Sequence, residues 1–132
     1  MSKSIKDFRE LVVYQKSFDS AMELFTLSKA WPPDERYSLT GQVRRSSRSI
    51  CANIAEAWRK RRYPASFVSK LSDADTEAGE TLVWLEFASR CGYMVEPNAR
   101  DLSLRYDRIC AQLVTMINQS DQWCEFGGAH NV

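Results

Sequence analysis

The sequence predicts an all-α fold, an antiparallel up-down-up-down four-helix bundle, and three observations carry that prediction. Only 4 Pro and 5 Gly occur in 132 residues, too few for a turn-rich β fold. Four segments repeat apolar residues at three- and four-residue steps, the period of an amphipathic helix. The prolines fall between those segments, where they end or begin helices rather than interrupt them. With 44% hydrophobic and 27% charged residues, the composition is that of a globular chain and excludes wholesale disorder or a fibrous repeat. The length suits one domain, residues 1–124, with a core that needs neither disulfides nor metal.

The first helix is expected from Ile5 to Ala30. Leu11, Tyr14, Phe18, Met22 and Phe25 form its apolar stripe, and Trp31-Pro32-Pro33 ends it. The second is expected from Ser38 to Arg61, with Leu39, Val43, Ser47, Ile50, Ile54 and Ala57 on one face. Small residues such as Ser46 and Ala55 would let a neighbour approach closely. The third runs from Ala65 to Arg90 on the stripe Phe67, Leu71, Ala74, Ala78, Leu82 and Leu85. Pro64 suits its first turn and Gly92 its stop. The fourth begins near Pro97 and carries Leu102, Tyr106, Ile109, Leu113 and Met116 or Ile117. Residues 125–132, which include Gly127-Gly128, show no period and are expected to be a disordered tail. Short connections make successive helices antiparallel.

Formal net charge is +1, which excludes a global field of the kind that marks strong polyanion binders. The balance hides an asymmetry. Arg36, Arg44, Arg45, Arg48, Arg59, Lys60, Arg61 and Arg62 stand against the single acid Glu56 between positions 36 and 62. Asp73, Asp75, Glu77, Glu80 and Glu86 follow on the third helix without a base between them. Arginine recognises phosphate by charge and by bidentate fit, so the basic segment reads as a phosphate-binding strip. The competing reading pairs part of it with the acids of the adjacent helix.

The residue types that chemistry requires are sparse. The one histidine, His130, lies in the tail, which leaves no Ser-His or Cys-His pair. Asp73, Glu77 and Glu80 share a helix face near Glu56, but di-iron bundles add Glu-x-x-His pairs that are missing. No phosphate-cradling glycine loop occurs. Cys51, Cys91, Cys110 and Cys124 are too dispersed for zinc. The expectation is a non-enzyme without cofactor or metal. No apolar run would span a bilayer and the first residues are charged, so the chain reads as cytoplasmic, away from membranes, with reduced and mostly buried thiols.

Trp84 and Phe87 add a second apolar surface to the third helix. Either the stripe is wide, or that helix packs on another subunit, which is the reading preferred here.

Several stretches carry a resemblance. They are Phe8 to Ser17 and Pro33 to Ala57, the latter containing Gln42-Val43-Arg44-Arg45, Ser49-Ile50 and Asn53-Ile54-Ala55-Glu56. Phe67, Leu71 and Gly92-Tyr93 continue the match, which spans about residues 8–120. The chain resembles the four-helix bundle proteins encoded in intervening sequences of 23S ribosomal RNA genes. Ala57 and Trp58 replace a usual glycine, so the second helix is expected to run on to Arg62. Asp75 to Glu80 replaces a usual Gly-Ser-x-x-Glu stretch.

The resemblance implies a ring-shaped homopentamer. It also implies kinship with the accessory variability protein of diversity-generating retroelements, a basic pentamer that partners a reverse transcriptase and binds nucleic acid. The matching positions are Arg44, Arg45 and Arg48, with Asn53 and Glu56 as the family's polar motif. Asn53 and Glu56 share a helix face among alanines. They are expected to be buried, with Arg45 or a neighbouring subunit's arginine as the mate of Glu56.

The leading expectation is a homo-oligomeric accessory protein that binds RNA or DNA phosphates through Arg44, Arg45, Arg48, Arg59, Lys60, Arg61 and Arg62. The alternative is a protein-interaction scaffold that binds no nucleic acid.

Overall fold

The computed structural model describes residues 5–124, so the expectation for the 125–132 tail falls outside the described residues. Those residues are helical throughout their regular structure. A 3-10 turn, Phe8–Glu10, precedes α1 (Val12–Ser28). A second, Pro33–Glu35, leads into α2 (Leu39–Arg59), and α3 (Pro64–Arg90), α4 (Glu96–Asn118) and a short α5 (Ser120–Trp123) follow. Packing between α2 and α3 is the most extensive, then that of α3 on α4. Helix α1 touches both α2 and α4, which closes a bundle-like circuit.

The termini explain the helix lengths. Pro64 and Pro97 sit in the first turns of α3 and α4, where a missing N–H costs nothing. After α3, Gly92 adopts φ 79°, the left-handed conformation that a side chain would strain. The Tyr93 N–H then reaches Ala88 O at 2.9 Å and the Gly92 N–H reaches Ser89 O at 3.0 Å. This is the Schellman arrangement, and it satisfies two of the last carbonyls.

Three expected boundaries move. The first helix does not start at Ile5. Asp7 caps the Arg9 amide at 2.8 Å, and Leu11 is extended at ψ 128°, which separates the 3-10 turn from α1. At its other end α1 stops at Ser28, short of Ala30. The third change is at the end of α2, which stops at Arg59 rather than running on to Arg62. Pro64 disfavours helical geometry at Tyr63, which is extended at ψ 96°, and the Arg61 Nε donates to the freed Trp58 carbonyl at 2.8 Å.

The core contains the expected stripes of α2, α3 and α4, with Leu82 only half-buried. Helix α1 is the exception. Its buried face is Val13, Ser17, Ser20, Leu24 and Ser28, while Phe18 and Met22 are 45% and 50% exposed. Serine side chains let a helix sit close to its neighbours, so the small face turned inward and the large residues were left outside. Helices α2 and α3 use the same device. Ser46 and Thr81, both fully buried, meet at 2.8 Å, and the Thr81 hydroxyl donates to Glu77 O at 2.9 Å.

Candidate nucleic-acid interface

Helix α2 carries the candidate cations, and the fold separates them into three environments. Arg45 is neutralised. Its guanidinium lies 3.1 Å from Glu77 and 2.6 Å from Glu80, joining α2 to the acidic stretch of α3. Arg44, one position earlier, turns toward α1. Its Nε donates to Ser28 Oγ at 2.9 Å and its guanidinium stacks over Phe25, 4.7 Å from the ring centroid. Arg48 is exposed and lies 5.6 Å from the same ring.

The tetrabasic run is split by the end of the helix. Arg59 is the last helical residue and Lys60 follows as an exposed cap. Arg61 folds back over Trp58, 3.5 Å from its centroid, and Arg62 is exposed in the turn before α3. Arg61 and Arg62 both have interactions of their own. Among the described residues Arg44, Arg48, Arg59 and Lys60 form no carboxylate pair, and Arg44 is the half-buried one.

The polar motif differs from expectation. Glu56 is exposed and pairs with Lys70 of α3 at 2.9 Å, not with Arg45, whose position faces Glu77 and Glu80 instead. That contact raises the Lys70 ammonium above its ordinary pKa, chiefly through the hydrogen bond from Lys70. Asn53 is half-buried and donates to Ser49 O at 2.9 Å, on its own helix. The two residues share a helix face but make separate contacts.

Sequence reasoning passed over Lys29, and it counted Arg36 without singling it out. The Pro32-Pro33 turn folds the end of α1 against the start of α2. That places Lys29, Arg36, Thr40 and Arg44 around a recess of about 270 Å³. The signal in the sequence was the pair of prolines between two cations, which fixes a sharp corner.

At the same corner, Glu35 accepts from Ser38 Oγ at 2.6 Å, from Tyr93 OH at 2.8 Å and from the Leu39 amide at 3.2 Å. Those bonds, Ser38's foremost, lower the carboxyl pKa below its ordinary value, and Tyr93 is pushed up to about 12 mainly by its bond to Glu35.

Two apolar faces remain uncovered. Phe18 and Met22 of α1 border a groove with Phe25, Arg48 and Cys51. On α3, Val83 and Phe87 are 46% and 55% exposed, and Phe87 lies 6.2 Å from Trp84.

All four cysteines are free thiols, but only Cys124 is buried. Cys91 is exposed, which corrects the expectation of mostly buried thiols: it falls at the cap of α3, where the chain turns outward. Burial pushes Cys51 and Cys110 up to about 11. Among the described residues no cluster of three metal-ligating side chains occurs, and no helix is long and apolar enough to cross a membrane.

Two comparisons with known proteins extend these observations. The family profile described as 23S rRNA-intervening sequence protein matches residues 9–115. A solved structure from Bacteroides thetaiotaomicron VPI-5482, described as a protein with unknown function from the S23 ribosomal protein family, is 31% identical with a TM-score of 0.73. That similarity covers 81% of this chain and 96% of the other. No curated protein matches the chain.

Proposed function

Since the chain belongs to the 23S rRNA-intervening sequence protein family, we propose that it is a non-catalytic cytoplasmic accessory protein that binds RNA or DNA as a homo-oligomer. In this reading the four long helices form an antiparallel up-down-up-down bundle. The closed circuit of helix contacts and the short connections support that arrangement.

The observation that carries the binding reading is the set of α2 cations left without a carboxylate partner among the described residues: Arg44, Arg48, Arg59 and Lys60. Arg48, Arg59 and Lys60 are exposed, so their charge is open to phosphate oxygens. Arg61 and Arg62 extend the basic end of α2, and Arg45 serves mainly to hold α2 on α3. Contacts of this kind read phosphate rather than base sequence.

Assembly into a ring, a pentamer, is supported by the two uncovered apolar faces on α1 and α3. A cyclic assembly above a dimer needs two different complementary surfaces on each copy. Repetition of the basic strip around the ring would multiply weak phosphate contacts. A reverse transcriptase is the protein partner this reading names.

The test is fluorescence anisotropy with structured RNA and duplex DNA at about 50 and about 200 mM salt. Binding should weaken by orders of magnitude across that range, and a variant with Arg59, Lys60, Arg61 and Arg62 all changed to Glu should lose it. No binding at low salt overturns the reading.

A second reading, a protein-docking scaffold, is favoured by the acidic surroundings of Val83 and Phe87, where Glu80 and Glu86 flank the apolar face. Under it the quadruple variant keeps its protein partner and the chain never retains nucleic acid.

A further inference from the structure

We propose that the recess between the end of α1 and the first turn of α2 is a seat for a single phosphate group, held by Lys29, Arg36, Arg44 and Thr40. The recess measures about 270 Å³. Three cations border it, and among the described residues none of the three has a carboxylate partner. Elsewhere in the chain Arg9, Arg45, Lys70, Arg100 and Arg105 all have one.

Lys29 and Arg44 both pack on one ring. The Lys29 Nζ and the Arg44 guanidinium each lie 4.7 Å from the Phe25 centroid. The bond from Arg44 Nε to Ser28 Oγ fixes the guanidinium in place before any ligand arrives. Both cations also line the recess, so an anion seated there would meet positive charge from two helix ends.

Thr40 adds a hydroxyl to the rim of the recess. It is 6% exposed and borders the recess, yet its hydroxyl has no hydrogen-bond partner among the described residues. That hydroxyl is not one of the buried unsatisfied polar atoms, so it is open to solvent and able to donate to an oxygen bound in the recess. Thr40 also lies in the first turn of α2, where the helix dipole favours negative charge. Glu35 does not line the recess, and its carboxylate oxygens are taken up by Ser38, Leu39 and Tyr93.

Tetrahedral oxyanions fit this donor set: two cations for charge, a guanidinium edge for geometry and one hydroxyl. The group is a phosphate, whether free, at a strand terminus or within a nucleic-acid backbone. The site deepens the nucleic-acid reading but does not use Arg59 to Arg62, so the two can fail separately.

The experiment titrates inorganic phosphate into the full chain at constant ionic strength, with chloride as the control, and follows the melting temperature and the phosphorus NMR line. Phosphate should raise the melting temperature where chloride does not. Lys29→Gln with Arg36→Gln, and separately Thr40→Val, should weaken phosphate binding about tenfold or more while circular dichroism stays unchanged. Arg59→Gln with Lys60→Gln should leave it intact. Competition with 5′-phosphorylated and 5′-hydroxyl RNA of one sequence then identifies the source. Preference for the phosphorylated strand marks a terminus, equal competition marks the backbone, and competition by neither marks the free ion. Equal response to phosphate and chloride, or equal binding by all variants, overturns the site even if long RNA still binds.

Discussion

Ser46 and Thr81 show how one atom of side-chain length governs a helix pair. Both are fully buried, and their hydroxyls meet at 2.8 Å between α2 and α3. Replacing Ser46 with Ala should cost about 1 kcal/mol, since Thr81 keeps its bond to Glu77 O. Ser46→Val should cost more, about 1–3 kcal/mol, because the added methyls have no room. Denaturant melts of the two variants check the order, and equal stability of both would show that the pair is not tightly packed. Glu35 and Tyr93 make a second residue-scale prediction. The carboxyl pKa is lowered in the folded state, so its stabilisation is present above the ordinary carboxylate pKa near 4.5 and is lost as pH falls through the folded value. Tyr93 is raised to about 12 from 10.0, so its share is complete below 10 and is lost as pH climbs toward 12. Melting curves over this range should show Glu35→Gln flattening both limbs, because the Tyr93 shift rests mainly on that carboxylate, and Tyr93→Phe flattening the alkaline limb while only reducing the acid one. A Glu35→Gln acid limb identical to that of the wild type would refute the assignment.

At the scale of the element, the sequence was legible wherever a helix buries large apolar residues. The stripes of α2, α3 and α4 follow from periodicity alone, and Gly92 and Pro64 mark their ends by backbone chemistry. Helix α1 was misread because periodicity detects size and apolarity, and its inner face is built from Ser17, Ser20 and Ser28 instead. Nothing local distinguishes a stripe turned to the core from one turned outward; only the packing partner decides. The candidate site was half legible for a related reason. A charge count along the chain finds Arg44 and Arg45 together, but cannot know that adjacent helix positions point apart, one to Ser28 and the other to Glu77 and Glu80. Lys29 and Arg44 are separated in sequence by the corner that unites them in space.

For the whole molecule, the seam that holds α1 differs from the others. Val13 and Leu24 are the sizeable apolar side chains buried on that helix, with Tyr14 and Leu27 half-buried beside them, and its contact with α4 includes the ion pair of Arg105 with Glu23 at 2.6 Å. Apolar area supplies most of the free energy of helix packing, and a serine face supplies little. Native-state hydrogen exchange should therefore find α1 amides opening at lower free energy than those of α2 and α3, as a separate cooperative unit. Uniform protection across the four helices would contradict this. The same serine face has a wider consequence for how the protein ages and associates. A helix that lifts off easily uncovers a ready-made slot for its own sequence, so concentrated solutions should accumulate copies that have traded their first helices. Such traded dimers would form and dissolve slowly, long after any surface contact had reached equilibrium.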